Sequence, residues 1–246
     1  MSRVAIIAAL PGELKPLVKG WTHTRPKGAG QDGVHVWRRQ VDTEMWFAAC
    51  AGMGADAATR AFVAIEREGA VDCLISYGWV GALTEQMAAG SVAWPAGVVD
   101  ARTGERFQAA SEAAALWQVT VPYVADEREK RKLAERYGAG FVDMEAATVA
   151  RLAAMRDLPF YLCRGVSDGV NDVLPDFNRF RGTRGEFQMA KFVAYAATHP
   201  RYWPALVRMG ENSKKAASQM ASEVLGFLDE RGYIRRRNGY PGTDPS

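Results

Sequence analysis

The sequence predicts an α/β fold, a single domain with a mixed central β-sheet flanked by helices. Three observations predict it. Short, continuously apolar runs such as residues 4–10 and 73–77 read as strands buried on both faces. Segments with helical apolar spacing alternate with those runs, as a parallel or mixed sheet requires. A chain of 246 residues, 48% hydrophobic and 24% charged, matches one globular domain of this class.

The elements follow in order. Residues 4–10 form the first strand, Pro11-Gly12 ends it, and Glu13 opens the next segment. Residues 33–40 and 45–50 pair as a hairpin across the polar turn Asp42-Thr43-Glu44. Residues 51–54 turn into a helix over 55–68, with Ala58, Phe62 and Ile65 on one face. The strand at 73–77 ends at Gly78-Trp79-Val80-Gly81. Residues 91–95, 98–101 and 117–121 read as further short strands. A charged helix spans 128–137, and a second helix starts at Asp143 or Met144 and runs to about Arg156. Residues 159–164 form a strand ending at Gly165-Val166-Ser167-Asp168-Gly169. The stretch 185–228 is mostly helical, broken at His199-Pro200. The domain is expected over 1–230, with Arg231, Arg235, Arg236 and Arg237 in a basic tail over 231–246.

Composition narrows the function classes. The formal net charge is only +3, and no aromatic residues are spaced along a basic groove, so no nucleic-acid partner is expected. Cys50, Cys73 and Cys163 lie singly in apolar runs, which is neither a disulfide framework nor a zinc pattern. No apolar run approaches a membrane span, and the first apolar stretch is short and lacks a cleavage site. A cytoplasmic protein without a membrane partner is the expectation.

Chemistry-bearing residues stand at strand ends, where ligands bind in open α/β sheets. They are Glu13, the Gly52–Gly54 turn, Gly78–Gly81 and Ser167-Asp168, with Glu145 near a helix start. Each alone also fits a turn or a helix cap. Together they suit cleavage of a nucleoside's glycosidic bond, which breaks through an oxocarbenium-like transition state. The departing base needs a proton or a strong hydrogen bond, the ribose hydroxyls need an acceptor, and a water needs a base. Asp168, Glu145 and Glu13 offer one carboxyl group for each task.

Over roughly residues 4–172 the chain resembles the nucleoside phosphorylase/nucleosidase superfamily, most closely its 5′-methylthioadenosine/S-adenosylhomocysteine nucleosidase branch. The resemblance is carried by VAIIAALPGEL, SYGWVGAL, FVDMEAATVA and LCRGVSDG. It implies a phosphorylase/hydrolase-like three-layer α/β/α fold. It also implies roles: Glu13 activates water, Met144 and Glu145 bind ribose, Ser167 and Asp168 serve the purine, and Gly81 lies in the glycine-rich strand end. Tyr123 is implied to stack on the base and Val124 to offer backbone groups to the adenine edge. Two departures stand out. Trp79 occupies the place where phosphorolytic members bind phosphate with a small residue. The stretch 102–121 is shorter than its family counterpart, which helps to shape the substrate's 5′ side. VVDARTGERF is similar to hopanoid-associated members that act on adenosyl groups with a bulky apolar 5′ tail. The expectation is an adenine nucleosidase acting on a 5′-substituted adenosine, with no cofactor and no metal, assembled as a homodimer or larger. Trp94 and Trp203 are candidate interface residues. A phosphate-dependent phosphorylase and a nucleoside-binding protein without turnover remain alternatives.

Overall fold

The computed structural model describes residues 2–26, 33–110 and 116–230. The basic tail lies outside the described residues. In chain order the first elements are β1 (Arg3–Ala8), α1 (Pro11–Leu14), β2 (Thr22–Thr24), β3 (His35–Val41), β4 (Glu44–Cys50), α2 (Ala55–Glu66) and β5 (Cys73–Ala82). Then come β6 (Val92–Ala93), β7 (Gly97–Asp100), β8 (Arg106–Gln108), β9 (Trp117–Thr120), α3 (Glu127–Tyr137), β10 (Ala139–Asp143) and α4 (Ala146–Ala154). The last are β11 (Phe160–Asp168), α5 (Met189–Ala197) and α6 (Trp203–Glu230), with 3-10 turns at Phe177–Phe180 and Pro200–Tyr202.

The strands form one mixed sheet in the order β2-β3-β4-β1-β5-β10-β9-β7-β8, with β11 pairing β5 and β6. β1 runs parallel to both β4 and β5, and β11 runs parallel to β5. Side-chain alternation along β1 sorts the core into two halves. Ala5 and Ile7 join Phe47, Leu74, Leu162 and the apolar faces of α2 and α4. Val4, Ile6 and Ala8 join Trp46, Ile75, Tyr161 and α6 on the other side. α6 turns Ala216, Ala217, Met220, Ala221, Val224 and Leu228 inward, a three- and four-residue spacing that makes one apolar stripe. Helices therefore cover both faces of the sheet, as expected for three layers.

Several elements differ from the sequence reading. β5 continues through Gly78–Gly81 to Ala82, because β11 pairs with it along that length. β11 likewise continues to Asp168 rather than stopping at Arg164. Residues 139–143 form β10, antiparallel to the end of β5 and parallel to β9, and the helix after it begins at Ala146. A wholly buried five-residue strand shows no period, so nothing in the pattern separates it from a helix start. The short strands β2 and β8 were also not expected, and both are largely exposed edge segments. All three cysteines are buried and free.

Candidate active site

The carboxyl ends of β1, β5, β10 and β11 open onto one cavity of about 530 Å³. Glu13, Trp79, Gly81, Tyr123, Val124, Met144, Glu145, Ser167 and Asp168 all line it. The structure thus brings these nine nominated residues together, whereas Gly52, Gly54 and Gly78 of the nominated glycine turns do not line the cavity. What each does there follows from its contacts.

Glu13 sits in the short helix α1, where Pro11 starts the first turn. Its carboxylate folds back over the end of β1. Oε2 accepts the N–H groups of Ala9 (2.8 Å) and Leu10 (2.7 Å), and Oε1 accepts that of Trp79 (2.8 Å). Gly78 leaves the space for this arrangement: a Cβ there would lie 2.7 Å from Glu13 Oε1. Burial pushes the Glu13 pKa above the ordinary carboxylate value, against the opposing pull of the three N–H donors and Arg164. Such a group is pinned as an acceptor and primed to take a proton.

Trp79 presents its N–H to Glu13 and its indole to α6, where Nε1 donates to the Ser213 carbonyl at 3.0 Å. The ring passes close over Gly12, whose absent side chain makes room for it. The indole therefore fills the space between Gly12 and α6 at the cavity wall.

Asp168 ends β11. Its Oδ1 accepts the Ser167 hydroxyl, which lies within reach of the Val80 carbonyl as well. Its Oδ2 is ion-paired with Lys130, whose Nζ also donates to the Gly169 carbonyl at 2.6 Å. Lys130 is 2% exposed. Gly81 packs against both partners, and a Cβ there would stand 3.0 Å from Lys130 Cε and 3.3 Å from Asp168 Oδ2. Sequence reasoning missed Lys130, since α3 reads as a solvated charged helix. The signal was its spacing: Lys130 and Leu133 are one turn apart and are the buried residues of α3.

Glu145 precedes α4. Its Oε1 accepts the Gly54 N–H at 2.5 Å, which ties it to the start of α2, and its Oε2 accepts the Met144 N–H at 3.3 Å. Burial first, and then the neighbouring Asp143 carboxylate, push its pKa up to about 8. The sequence reading treats it as a charged acceptor; in this setting the neutral acid is favoured near neutral pH. Asp143 stays satisfied through Arg164 at 3.3 Å, the Thr120 hydroxyl at 2.6 Å and the Ala146 N–H at 2.8 Å. Arg164, itself 2% exposed, also binds Gln118 and Ser76. This buried network holds β5, β9, β10 and β11 in register beneath the cavity, and the sequence reading did not foresee it.

On the base side the expected backbone groups already have a partner. Val124 lines the cavity, but its backbone groups are engaged: its N–H donates to Asn178 Oδ1 (2.8 Å), and its carbonyl accepts from Asn178 Nδ2 (3.0 Å). The side-chain amide of Asn178 offers the same donor–acceptor pair that an adenine edge would, so Val124 is not open to a base in this conformation. Tyr123 keeps its ring at the cavity while its hydroxyl bonds Glu129 at 3.2 Å. Of the two candidate interface tryptophans, Trp94 packs on Phe227 and bonds Glu223 at 2.8 Å within the chain, whereas Trp203 is 52% exposed.

The far end of the cavity is apolar. Phe177, Phe187, Met189, Phe192, Leu206 and Met209 supply it, from the loop after β11 and from α5 and α6. All but Phe177 belong to the stretch 185–228, read only as mostly helical. The stretch 102–121, expected to shape the 5′ side, contributes no residue to this cavity among those described. Also among the described residues, no group of three or more His, Cys, Asp or Glu side chains is placed to hold a metal ion.

Comparison with solved structures identifies similar folds. The chain superposes on the apo 5′-methylthioadenosine nucleosidase of Arabidopsis thaliana with a TM-score of 0.69 at 18% identity, covering 98% of each chain. Against the 5′-methylthioadenosine/S-adenosylhomocysteine nucleosidase of Neisseria meningitidis, in complex with methylthio-immucillin-A, the TM-score is 0.67 at 19% identity, covering 94% of this chain and 100% of that one. The futalosine hydrolase of Helicobacter pylori gives 0.67 at 14% identity, covering 93% and 98%. No curated protein matches the sequence. The model of the phosphorylase superfamily matches residues 3–114 and 102–197, and the chain belongs to that superfamily.

Proposed function

We propose that the protein hydrolyses the N-glycosidic bond of an adenine nucleoside carrying an apolar 5′ substituent. The observation that carries this reading is the placement of Glu13 and Asp168 around one cavity, with Glu145 beside them and an apolar end beyond. In this reading a water, held by the free side of Glu13 Oε1, attacks the anomeric carbon as the bond to the base breaks. Its proton passes to Glu13, whose raised pKa suits a base that must receive one. The base leaves with a proton at a ring nitrogen, handed over by Asp168. The Lys130 ammonium against Oδ2 is the nearest proton source behind it. Glu145, fixed by Gly54, takes the ribose hydroxyls.

Two features favour water over phosphate. The Trp79 indole fills the space over Gly12, and the Glu13 carboxylate lines the same cavity. An anion placed there would meet a carboxylate and an indole instead of a cluster of donors. The six apolar side chains at the far end suit a 5′ group such as an alkylthio or lipid-like chain better than a free hydroxyl. The 5′ preference is tested by timing adenine release from adenosine and from 5′-alkylthio adenosines of increasing length. kcat/KM should rise with chain length by a factor of about 3–4 per buried methylene. A preference for unsubstituted adenosine would overturn the apolar 5′ assignment.

A further inference from the structure

α5 is a helix of nine residues, rich in apolar side chains, in which none is buried. Met189 and Val193 lie one turn apart on it, 60% and 56% exposed. On the first turns of α6, Trp203 and Val207 repeat the spacing at 52% and 60%. Among the described residues only Met155 and Val173 are comparably exposed large hydrophobics elsewhere. The Trp203 indole N–H reaches back to the Ala196 carbonyl at 2.7 Å, so the two helices form one hairpin. Exposed apolar clusters of this kind mark interaction surfaces.

The charge around these side chains points to the partner. Between Glu186 and Glu211 the chain carries Lys191, Arg201 and Arg208 and no acidic residue. All three are exposed. Arg208 lies 4.0 Å from Asp172, and Arg201 rests on the ring of Tyr202. Tyr195, Tyr202 and Trp203 add amphipathic rings of the type that settle at a membrane–water boundary. Apolar anchors, interfacial aromatics and an exposed basic rim, with Asp172 near Arg208, together describe a helix pair that lies in the plane of an anionic lipid surface. The cavity adds position: Met189, Phe192, Leu206 and Met209 come from these same two helices and line its apolar end. We propose that the α5–α6 hairpin docks the protein on an anionic bilayer, with the apolar end of the cavity at the lipid side. No apolar run of the sequence approaches the length of a spanning helix, and among the described residues no helix is long and apolar enough to cross a membrane. A surface contact needs neither, and it does not depend on the reaction assigned above.

The test is co-sedimentation of the full chain with phosphatidylcholine vesicles, with and without phosphatidylglycerol. Val193→Glu/Val207→Glu and Lys191→Glu/Arg201→Glu serve as variants, none of them a residue lining the catalytic cavity. The wild type should partition at least about tenfold better onto the anionic vesicles, and raised salt should weaken binding. The apolar pair variant should lose binding by about tenfold or more, and the charge pair variant should lose its preference for anionic lipid. Thermal midpoints should stay at the wild-type value, since no substituted side chain is buried. Light scattering should give one mass for all forms. Failure of the wild type to bind would overturn the proposal, as would binding that survives both variants and so resides elsewhere, for example in the tail over 231–246. A mass that halves in the apolar variant would make this face an interface between copies of the chain and overturn it as well.

Discussion

At the residue scale the proposed chemistry rests first on Asp168 and its ion-pair partner Lys130. Asp168 and Lys130 act as a unit, since one oxygen of the first is the partner of the second. Asp168→Asn keeps a donor but not a transferable proton, so turnover should fall by about 10²–10⁴-fold while nucleoside binding survives. Lys130→Met should fall in the same direction, and the double variant should be no worse than Asp168→Asn alone, because groups acting together are not additive. Single-turnover rates check this; full additivity would separate the two roles. Glu145 yields a pH prediction. Its folded pKa, about 8, lies above the ordinary value of 4.5. A raised carboxyl pKa means that the stability it lends is complete below the unfolded value and is lost as pH rises through the folded one. The ligand-free melting temperature should therefore fall between about pH 5 and about pH 9, with buried Glu13 acting in the same direction. Glu145→Gln should flatten the curve. A melting curve that rises over that window, or is unchanged in the variant, would remove the argument. The same variant reads the sugar: its preference for ribo- over 2′-deoxynucleoside should shrink by about 0.5–1.5 kcal/mol, the range for hydrogen bonds between neutral groups.

At the element scale the site depends on where strands end. β1 and β11 were legible because buried strands show as apolar runs, and the turn residues after β1 mark its boundary. The continuation of β5 and β11 past their glycines was not legible. A glycine inside a strand looks like a turn until the group that needs its space is known, and for Gly78 that group is Glu13. Gly78→Ala should displace the Glu13 carboxylate and cost up to about 10²-fold in turnover. A fully active, normally folded variant would show that the close approach does not matter. The Asp143–Arg164 pair was equally hidden, because its partners come from separated strands. Removing one member leaves a buried charge alone, so Arg164→Ala should lower unfolding stability by about 3–5 kcal/mol in denaturant titration. A loss below about 1 kcal/mol would mean that the network is not holding the sheet.

On the whole-molecule scale, the sheet gathers four strand ends and four helices around one cavity, and nine residues nominated from the sequence line it. The polar half was legible because its residues occupy short motifs that resemble a known family. The apolar half was not, because Phe187, Phe192 and Leu206 lie in a stretch whose pattern reads as ordinary helical packing. The central claim is hydrolysis at the glycosidic bond, with Glu13 serving water. Its most direct test is the sugar product formed from a 5′-alkylthio adenosine in phosphate buffer, compared between wild type and Glu13→Gln. Free adenine and the free 5-alkylthio ribose should appear in equal amounts, phosphate should not raise the rate, and Glu13→Gln should abolish both products. A ribose 1-phosphate as the main product would contradict the assignment and make the protein a phosphorylase.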